Sequence, residues 1–474
     1  MVVVPLAERH AADRVKAEIE ADGKTRVGSV EVGLLSRSLV LTDLRSRRVG
    51  DISIGRWRAS GLAWPFDELL RGRTPLSGWR LGDPLTAGSI EIDALVVVSE
   101  DGSTWSVDLL RLEGFELAAY DDDVGPGPNR VVALGARVLQ ALTLSRFEEQ
   151  GVAFTGPGSH NTVRIESFVL HDVSRGDVGS LALTRFEIGE RGAKEPGFAL
   201  ASIDAKGIGL RRILSSLSSP DWEPGVPTGR LDLEAFDASG FDGALLKQYG
   251  LSLDRIGYEM VREAPGITRA RSRITGFSMA PPLHGAETLQ LRMIMEAMGL
   301  EELRLELECS AIEDRNKGEL SVDRCALIGR DLGEVDLSLK VVDADEAFWR
   351  AVDEGDMALV YRSQAALGTA RLTLADRSLL DRALRAAAST TGQPVAAMRA
   401  EAAREVRRFQ PAGVLITEDM TRLLDTVARF IELGGTLVVE ARPDPPFGLD
   451  RVSYLATPGP DLIDVLGVSA KLTR

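Results

Sequence analysis

SLVLTDLRSRRVGDISIGRW, residues Ser38–Trp57, and SFVLHDVSRGDVGSLALTRF, residues Ser167–Phe186, align without a gap. Val40 and Val169, Asp43 and Asp172, Val49 and Val178, Gly50 and Gly179, and Arg56 and Arg185 coincide. Each copy reads strand, turn, strand. Leu39 and Leu41, then Ile52 and Ile54, alternate with other residues in the first, and Phe168, Leu170, Leu181 and Leu183 hold the same places in the second. Such alternation gives an antiparallel hairpin one apolar face. DLGEVDLSL, Asp331–Leu339, is a fainter third copy that adds Leu337 and Leu339. The shared Gly50, Gly179 and Gly333 are expected at turns or bulges where a side chain would clash. The two clear copies are expected to form equivalent hairpins with their matched apolar residues on one side, since a one-residue slip would turn every side chain over.

A second recurrent unit joins a short helix to a strand through a glycine. LLKQYGLSLDRIGYEM, LRMIMEAMGLEELRLELE and DLIDVLGVSAKLT place Gly250, Gly299 and Gly467 where a left-handed residue ends a helix. The last quarter is helical in character. Leu379, Leu380, Ala383 and Leu384, then Met398, Ala402, Val406 and Phe409, form stripes between Asp376 and Phe409. Glu418–Leu433 carries Met420, Leu423, Leu424, Val427, Phe430 and Ile431 on one face and stops at Gly434 and Gly435. The strand TLVVEA, the turn RPDPPFG and a helix from Pro460 to Leu466 close the chain. The expected fold is therefore α+β and β-rich: an elongated, curved antiparallel β-sheet, groove-like or sandwich, built from hairpin repeats, with short helices and a helical C-terminal end piece. Its expected parts are a helix in residues 1–22, β-repeat regions in 23–130 and 131–345, and an α+β region in 346–474.

Composition narrows the function. A chain of 474 residues with 44% hydrophobic residues can bury a sizeable core, and a net charge of -15 repels a phosphate backbone, so nucleic acid is not an expected partner. No catalytic or metal-binding pattern stands out. His10, His160, His171 and His284 are isolated, and no His-Glu-x-x-His, Gly-x-Ser-x-Gly or phosphate-loop motif occurs. TGPGSHN, Thr155–Asn161, lacks both the lysine and the helix a phosphate loop needs, and Asp121, Asp122 and Asp123 read as a solvated loop. No enzyme activity, cofactor or metal is expected. Cys309 and Cys325 lie near the ends of a hairpin turning at DRNKG. Alternation puts Cys325 out of phase with Leu320 and Val322, so pairing the two cysteines requires a bulge, and two reduced thiols are the simpler expectation.

MVVVPLAERHAADRVKAEIEADG opens with a few apolar residues and passes into a polar helical pattern. Val2 to Val4 read either as a first strand or as the outer end of an upstream apolar anchor. VGSVEVGLLSRSLVLTDLRSRRVGDISIGRWRASGLAWPFDELLRGR, Val27–Arg73, resembles the N-terminal signature of AsmA-like proteins: strand, "sl-l-dl" strand, a strand ending near Gly61 and Leu62, then a short helix. ERHAADRVKAEIEADG resembles that family's helix just outside the membrane. The resemblance implies a periplasmic envelope protein, anchored in the inner membrane by a segment preceding Met1, with a groove-like β-sheet related to bridge-like lipid carriers and to proteins that influence outer-membrane assembly. The chain is short for such a bridge, and its helical end piece is not part of the simplest form of the family.

A sheet face carrying Leu39, Leu41, Ile52, Ile54, Phe168, Leu170, Leu181, Leu183, Leu337 and Leu339 must be hidden from water by a second layer or by acyl chains. Trp64–Leu70 reads as a helix capping the sheet or as a lip touching membrane or cargo. Two functions follow. One is a groove that binds or transfers a phospholipid or another membrane lipid, with these ten residues as its lining. The alternative is an envelope scaffold or assembly factor with a closed core and a protein partner.

Overall fold

In a computed structural model the described residues are 3–473 except 48–49, 64–67, 69–70, 72, 74–78, 125–128, 220–221, 223–230, 283–287, 411–415 and 457–461. Among them the chain is β-rich α+β, with antiparallel pairing in every registered strand pair. It divides into two units, Met1–Ala244 and Leu245–Arg474.

Unit 1 is an antiparallel meander. Its strands are β1 (Thr25–Arg26), β2 (Ser29–Gly33), β3 (Ser38–Ser46), β4 (Asp51–Ser60), β5 (Leu85–Val98), β6 (Thr104–Leu117), β7 (Leu142–Thr155), β8 (Asn161–Ser174), β9 (Asp177–Glu190), β10 (Phe198–Gly209) and β11 (Ala235–Asp242). From β3 to β11 each strand pairs with the next, and β1 and β2 both pair with β3. The helix Val3–Glu20 seals one end, setting Ala11, Ala12 and Val15 against Val32, Leu34, Leu39, Leu41 and Ala59. Val3 and Val4 therefore begin a helix rather than a strand, and Pro5 sits in the first turn, where its missing N–H costs nothing.

The long strands of unit 1 do not simply alternate. On β6 the inward residues are Trp105 and Val107, Leu110 and Leu112, then Phe115 and Leu117, a pattern that repeats every five residues. The cause is two lines of left-handed backbone. Asp43 (φ 49°), Ala94 (54°), Gly151 (63°), Arg185 (46°) and Gly240 (72°) lie on β3, β5, β7, β9 and β11. Gly55, Asp108, Glu166 and Ala201 oppose them on the strands between, at rungs missing from the ladders. A second line runs through Gly114 (61°), Asp172 (54°) and Gly207 (59°), with Ser145 and Gly179 between. Each left-handed residue interrupts the pleat, and the next apolar side chain returns to the same face. Glycine is required where the lines are tightest: a Cβ on Gly179 would stand 2.9 Å from the Asp172 Cβ, and one on Gly151 would run into the Asp108 carboxylate.

This geometry corrects the expected equivalence of the hairpins. Both copies are hairpins of one sheet with their matched apolar residues on one face, but their registers differ. Ile52 sits opposite Ser46, whereas its match Leu181 sits opposite Leu170, the counterpart of Leu41. The second copy has slipped by five residues, from the Ser46 position to the Leu41 position, and one full kink period leaves the face unchanged. The matched glycines consequently differ in use: Gly50 (φ 86°) precedes β4 in the turn, and Gly179 lies inside β9.

Unit 2 is a second meander: β12 (Leu251–Ser252), β13 (Arg255–Ala264), β14 (Ile267–Met279), β15 (Leu303–Asp314), β16 (Glu319–Gly329), β17 (Gly333–Val342), β18 (Ala366–Asp376), β19 (Gly435–Ala441), β20 (Phe447–Gly448) and β21 (Val468–Thr473). β13 to β19 pair in sequence, β21 closes on β19, and β12 and β20 pair with β14 and β18. Cys309 and Cys325 form a disulfide, not two free thiols. The required bulge is present: Ser310 opposes Arg324 and Ala311 opposes Val322, so the extra Asp323 brings Cys325 into phase with Cys309. Gly250, Gly299 and Gly467 all adopt the left-handed conformation expected of helix-ending glycines.

The helical end piece is as anticipated in kind, with one difference. Gly392 (φ 72°) divides the Ala- and Arg-rich stretch into helices Leu379–Thr391 and Val395–Arg408, while β18 runs on to Asp376. Helix Glu418–Leu433 is capped by the Thr417 hydroxyl, which accepts from the Met420 amide, and it packs on β19 and β21. Helix Glu346–Glu354 buries Phe348 and Trp349 in a separate core. Of the expected final helix Pro460–Leu466, the described part is helical over Leu462–Val465, and Pro460 and Asp461 lie outside the described residues.

Candidate binding face

Cross-strand partners share a face, so the ladders of unit 1 can be followed as rows. One row runs Leu39, Ala59, Ile90, Leu112, Phe147, Leu170, Leu181, Ala205. The next runs Leu41, Trp57, Ile92, Leu110, Glu149, Phe168, Leu183, Ile203. Beyond the first kink line comes Leu44, Ile54, Leu95, Val107, Val152, Ile165, Phe186, Leu200. Leu39, Leu41, Leu44, Trp57, Ala59 and Ile90 pack into the cluster that helix Val3–Glu20 completes, and further along the rows form two clusters built from strand residues alone. Ile90, Ile92, Leu112, Phe147, Phe168, Leu170, Leu181, Leu183 and Ile203 remain only half-buried.

The sequence-predicted lining residues divide accordingly. Ile52, Ile54, Phe168, Leu170, Leu181 and Leu183 come together on this half-open face. Leu39 and Leu41 share it but are buried beneath helix Val3–Glu20, so they are core residues. Leu337 and Leu339 lie in unit 2, on a row system of its own: Tyr258, Ser272, Cys309, Cys325, Leu337, Leu372, Val439, beside Ile256, Ile274, Leu307, Leu327, Val335, Leu374, Leu437. Leu337 is 39% exposed, and Leu339 packs toward the Phe348 core.

The opposite faces are polar and internally paired. In unit 1, Arg111 bridges Glu91 at 2.9 Å and Glu148 at 3.8 Å, and Arg146 reaches Glu148 at 3.0 Å. In unit 2, Arg324 meets Glu334 at 2.7 Å, Glu308 at 3.5 Å and Asp336 at 3.7 Å, and Arg273 meets Glu308 at 2.7 Å. These ladders mark the solvated side, so the apolar side is the one available to a ligand.

Glu149 breaks the apolar row. It sits opposite Leu110 on one side and Phe168 on the other, between the flanking rows of Phe147 and Val152. Burial alone pushes its carboxyl above the usual range. Alternation from Phe147 did not single this residue out, because one glutamate in a strand ordinarily faces water. The sequence signal is the Phe147-x-Glu149-x-x-Val152 spacing: plain alternation sets Glu149 on the face of Phe147, and the five-residue period adds Val152 to it.

Among the described residues no cluster of histidine, cysteine, aspartate and glutamate could hold a metal ion. His284 and Trp64–Leu70 other than Glu68 lie outside the described residues. Asp121 to Asp123 are exposed, with Arg137 bonded to the Asp121 and Asp123 carbonyls. No described helix is long and apolar enough to cross a membrane. In comparisons, a family model described as "Uncharacterized protein" matches residues 326–473, the C-terminal part of unit 2. No curated protein matches the chain.

Proposed function

We propose that this chain is a non-catalytic envelope protein that holds the hydrocarbon of a membrane lipid on the half-open apolar face of the unit 1 sheet. One observation carries the reading: rows of Ile, Leu, Val and Phe continue across the sheet to β10, and beyond the end that helix Val3–Glu20 covers the clusters they form contain strand residues alone. A monomeric soluble chain rarely leaves so long an apolar surface without an occupant. The polar back of the same strands, with its Arg111 and Glu148 ladder, removes the symmetric alternative of a face wet on both sides. The Cys309–Cys325 disulfide supports an oxidising compartment such as the periplasm. The likeness of Val27–Arg73 to AsmA-like proteins points the same way, toward lipid carriage, inner-membrane attachment and a role in outer-membrane assembly.

The test is native mass spectrometry of the full chain purified from a membrane-containing host, followed by lipid extraction and incubation with a fluorescent phospholipid. Bound phospholipid, or saturable uptake of the probe, is expected. A lipid-free chain that takes up no probe overturns the reading in favour of a scaffold whose apolar face meets a protein.

A further inference from the structure

Glu149 is a carboxylate with apolar neighbours on every side of its own face: Leu110 on β6, Phe168 on β8, Phe147 before it and Val152 after it on β7. Phe147 and Phe168 meet edge to face at 5.9 Å, so two phenyl rings stand beside the carboxylate. No arginine, lysine or histidine belongs to the adjoining rows of β6, β7 and β8; the cations of these strands, Arg111, Arg146, Arg164 and His171, occupy the rungs of the other face. No described ion pair or hydrogen bond involves the Glu149 side chain, and burial alone accounts for its altered proton affinity.

An anion held against hydrocarbon loses hydration that only a cation or a strong donor can replace. A phosphate or sulfate would be repelled, and a plain alkyl chain would worsen the loss. An ammonium satisfies both the carboxylate, through a charge-assisted hydrogen bond, and the flanking ring faces. We propose that Glu149, with Phe147 and Phe168, is the headgroup contact of this face and selects amphiphiles that carry an ammonium group, their hydrocarbon lying along the neighbouring apolar rows. The inference rests on the apolar-ligand reading above and names the ligand class for that same face. An amino-phospholipid and a free long-chain amine share this chemistry.

Equilibrium binding of two fluorescent probes to the full chain, pyrenedecylamine and pyrenedecanol, below their aggregation concentrations, tests it. The wild-type chain is expected to bind the amine about tenfold more tightly than the alcohol, the factor a single charge-assisted contact supplies. Glu149→Gln is expected to abolish that preference, the two probes then binding the variant equally. Equal binding of both probes to the wild-type chain overturns the ammonium contact and leaves the apolar-ligand reading standing. Binding of neither probe overturns both. The wild-type comparison needs no variant, so a misfolded Glu149→Gln does not remove the test. A competition series with phosphatidylethanolamine and phosphatidylglycerol vesicles separates the sources: displacement of the amine by the first alone points to a lipid headgroup, and displacement by neither points to a free amine.

Discussion

Glu148 and Glu149, consecutive on β7, project to opposite faces of one strand, and their carboxyls are driven in opposite directions. For Glu148 burial favours the protonated form, but the Gln150 amide, the Arg146 guanidinium and Arg111 outweigh it and hold the carboxyl below its ordinary value. For Glu149 burial acts without opposition and the carboxyl is raised.

The pair predicts opposite pH signatures. A depressed carboxylate contributes stability above the unfolded value of about 4.3, and that stability is lost as pH falls through the lower folded value. Glu148→Gln should therefore cost about 1–3 kcal/mol at neutral pH, shrinking toward zero in strong acid. A raised carboxyl does the reverse: its stabilising share is present below the unfolded value and is lost as pH rises through the higher folded value. Glu149→Gln should raise the melting midpoint of the unliganded chain at neutral pH and leave it unchanged below about pH 4. Thermal melts of both variants from pH 3 to 8 check this, and parallel profiles would refute it.

Charge insertion separates core from lining. Leu41 is 6% exposed beneath helix Val3–Glu20, and Leu183 in the same row is half-buried and lies outside the cluster that this helix completes. Leu41→Lys should cost several kcal/mol and abolish the cooperative melt. Leu183→Lys should keep a native-like melt, because its amine can reach water, while reducing lipid uptake. Circular-dichroism melts beside fluorescent-lipid binding read both; unfolding of the Leu183 variant would show that face to be closed.

The disulfide joins opposite residues of β15 and β16 at a sequence separation of 16. Thiol titration of the denatured, unreduced chain should find no free cysteine. Reduction, or Cys309→Ser with Cys325→Ser, should destabilise unit 2 by about 2–4 kcal/mol. Denaturant melts with and without reductant measure it.

The kink lines predict unequal responses at neighbouring sites. Gly151→Val places a branched side chain at φ 63° against Asp108 and should cost about 2–3 kcal/mol. Asp172→Gly removes a Cβ from a left-handed position at φ 54° and should be neutral or stabilising by up to about 1 kcal/mol. Urea midpoints of the two variants give the comparison, and equal losses would refute the backbone explanation.

Much of the architecture is legible in residue order. Alternation in Leu39–Leu41 and Phe168–Leu170 marks strands, and Gly250, Gly299, Gly434 and Gly467 end helices where expected. The registers are not legible, for a physical reason. The left-handed positions are held as often by Asp43, Ala94, Asp172 and Arg185 as by glycine, and nothing in those side chains announces the conformation. An ungapped match therefore concealed a five-residue slip, whereas alternation did mark the need for a bulge before Cys325 and does place Glu149 on the face of Phe147.

The creases also govern how this sheet tolerates insertion and deletion. In an ordinary strand a shift by an odd number of residues exchanges inside for outside. Here a shift of five carries each apolar side chain onto the next equivalent panel, as comparison of the β3–β4 and β8–β9 hairpins illustrates. Strand sliding in unit 1 is thus quantised: hairpins can lengthen, shorten or re-pair by one panel and still present a continuous hydrocarbon surface, while any smaller odd step turns polar side chains onto it.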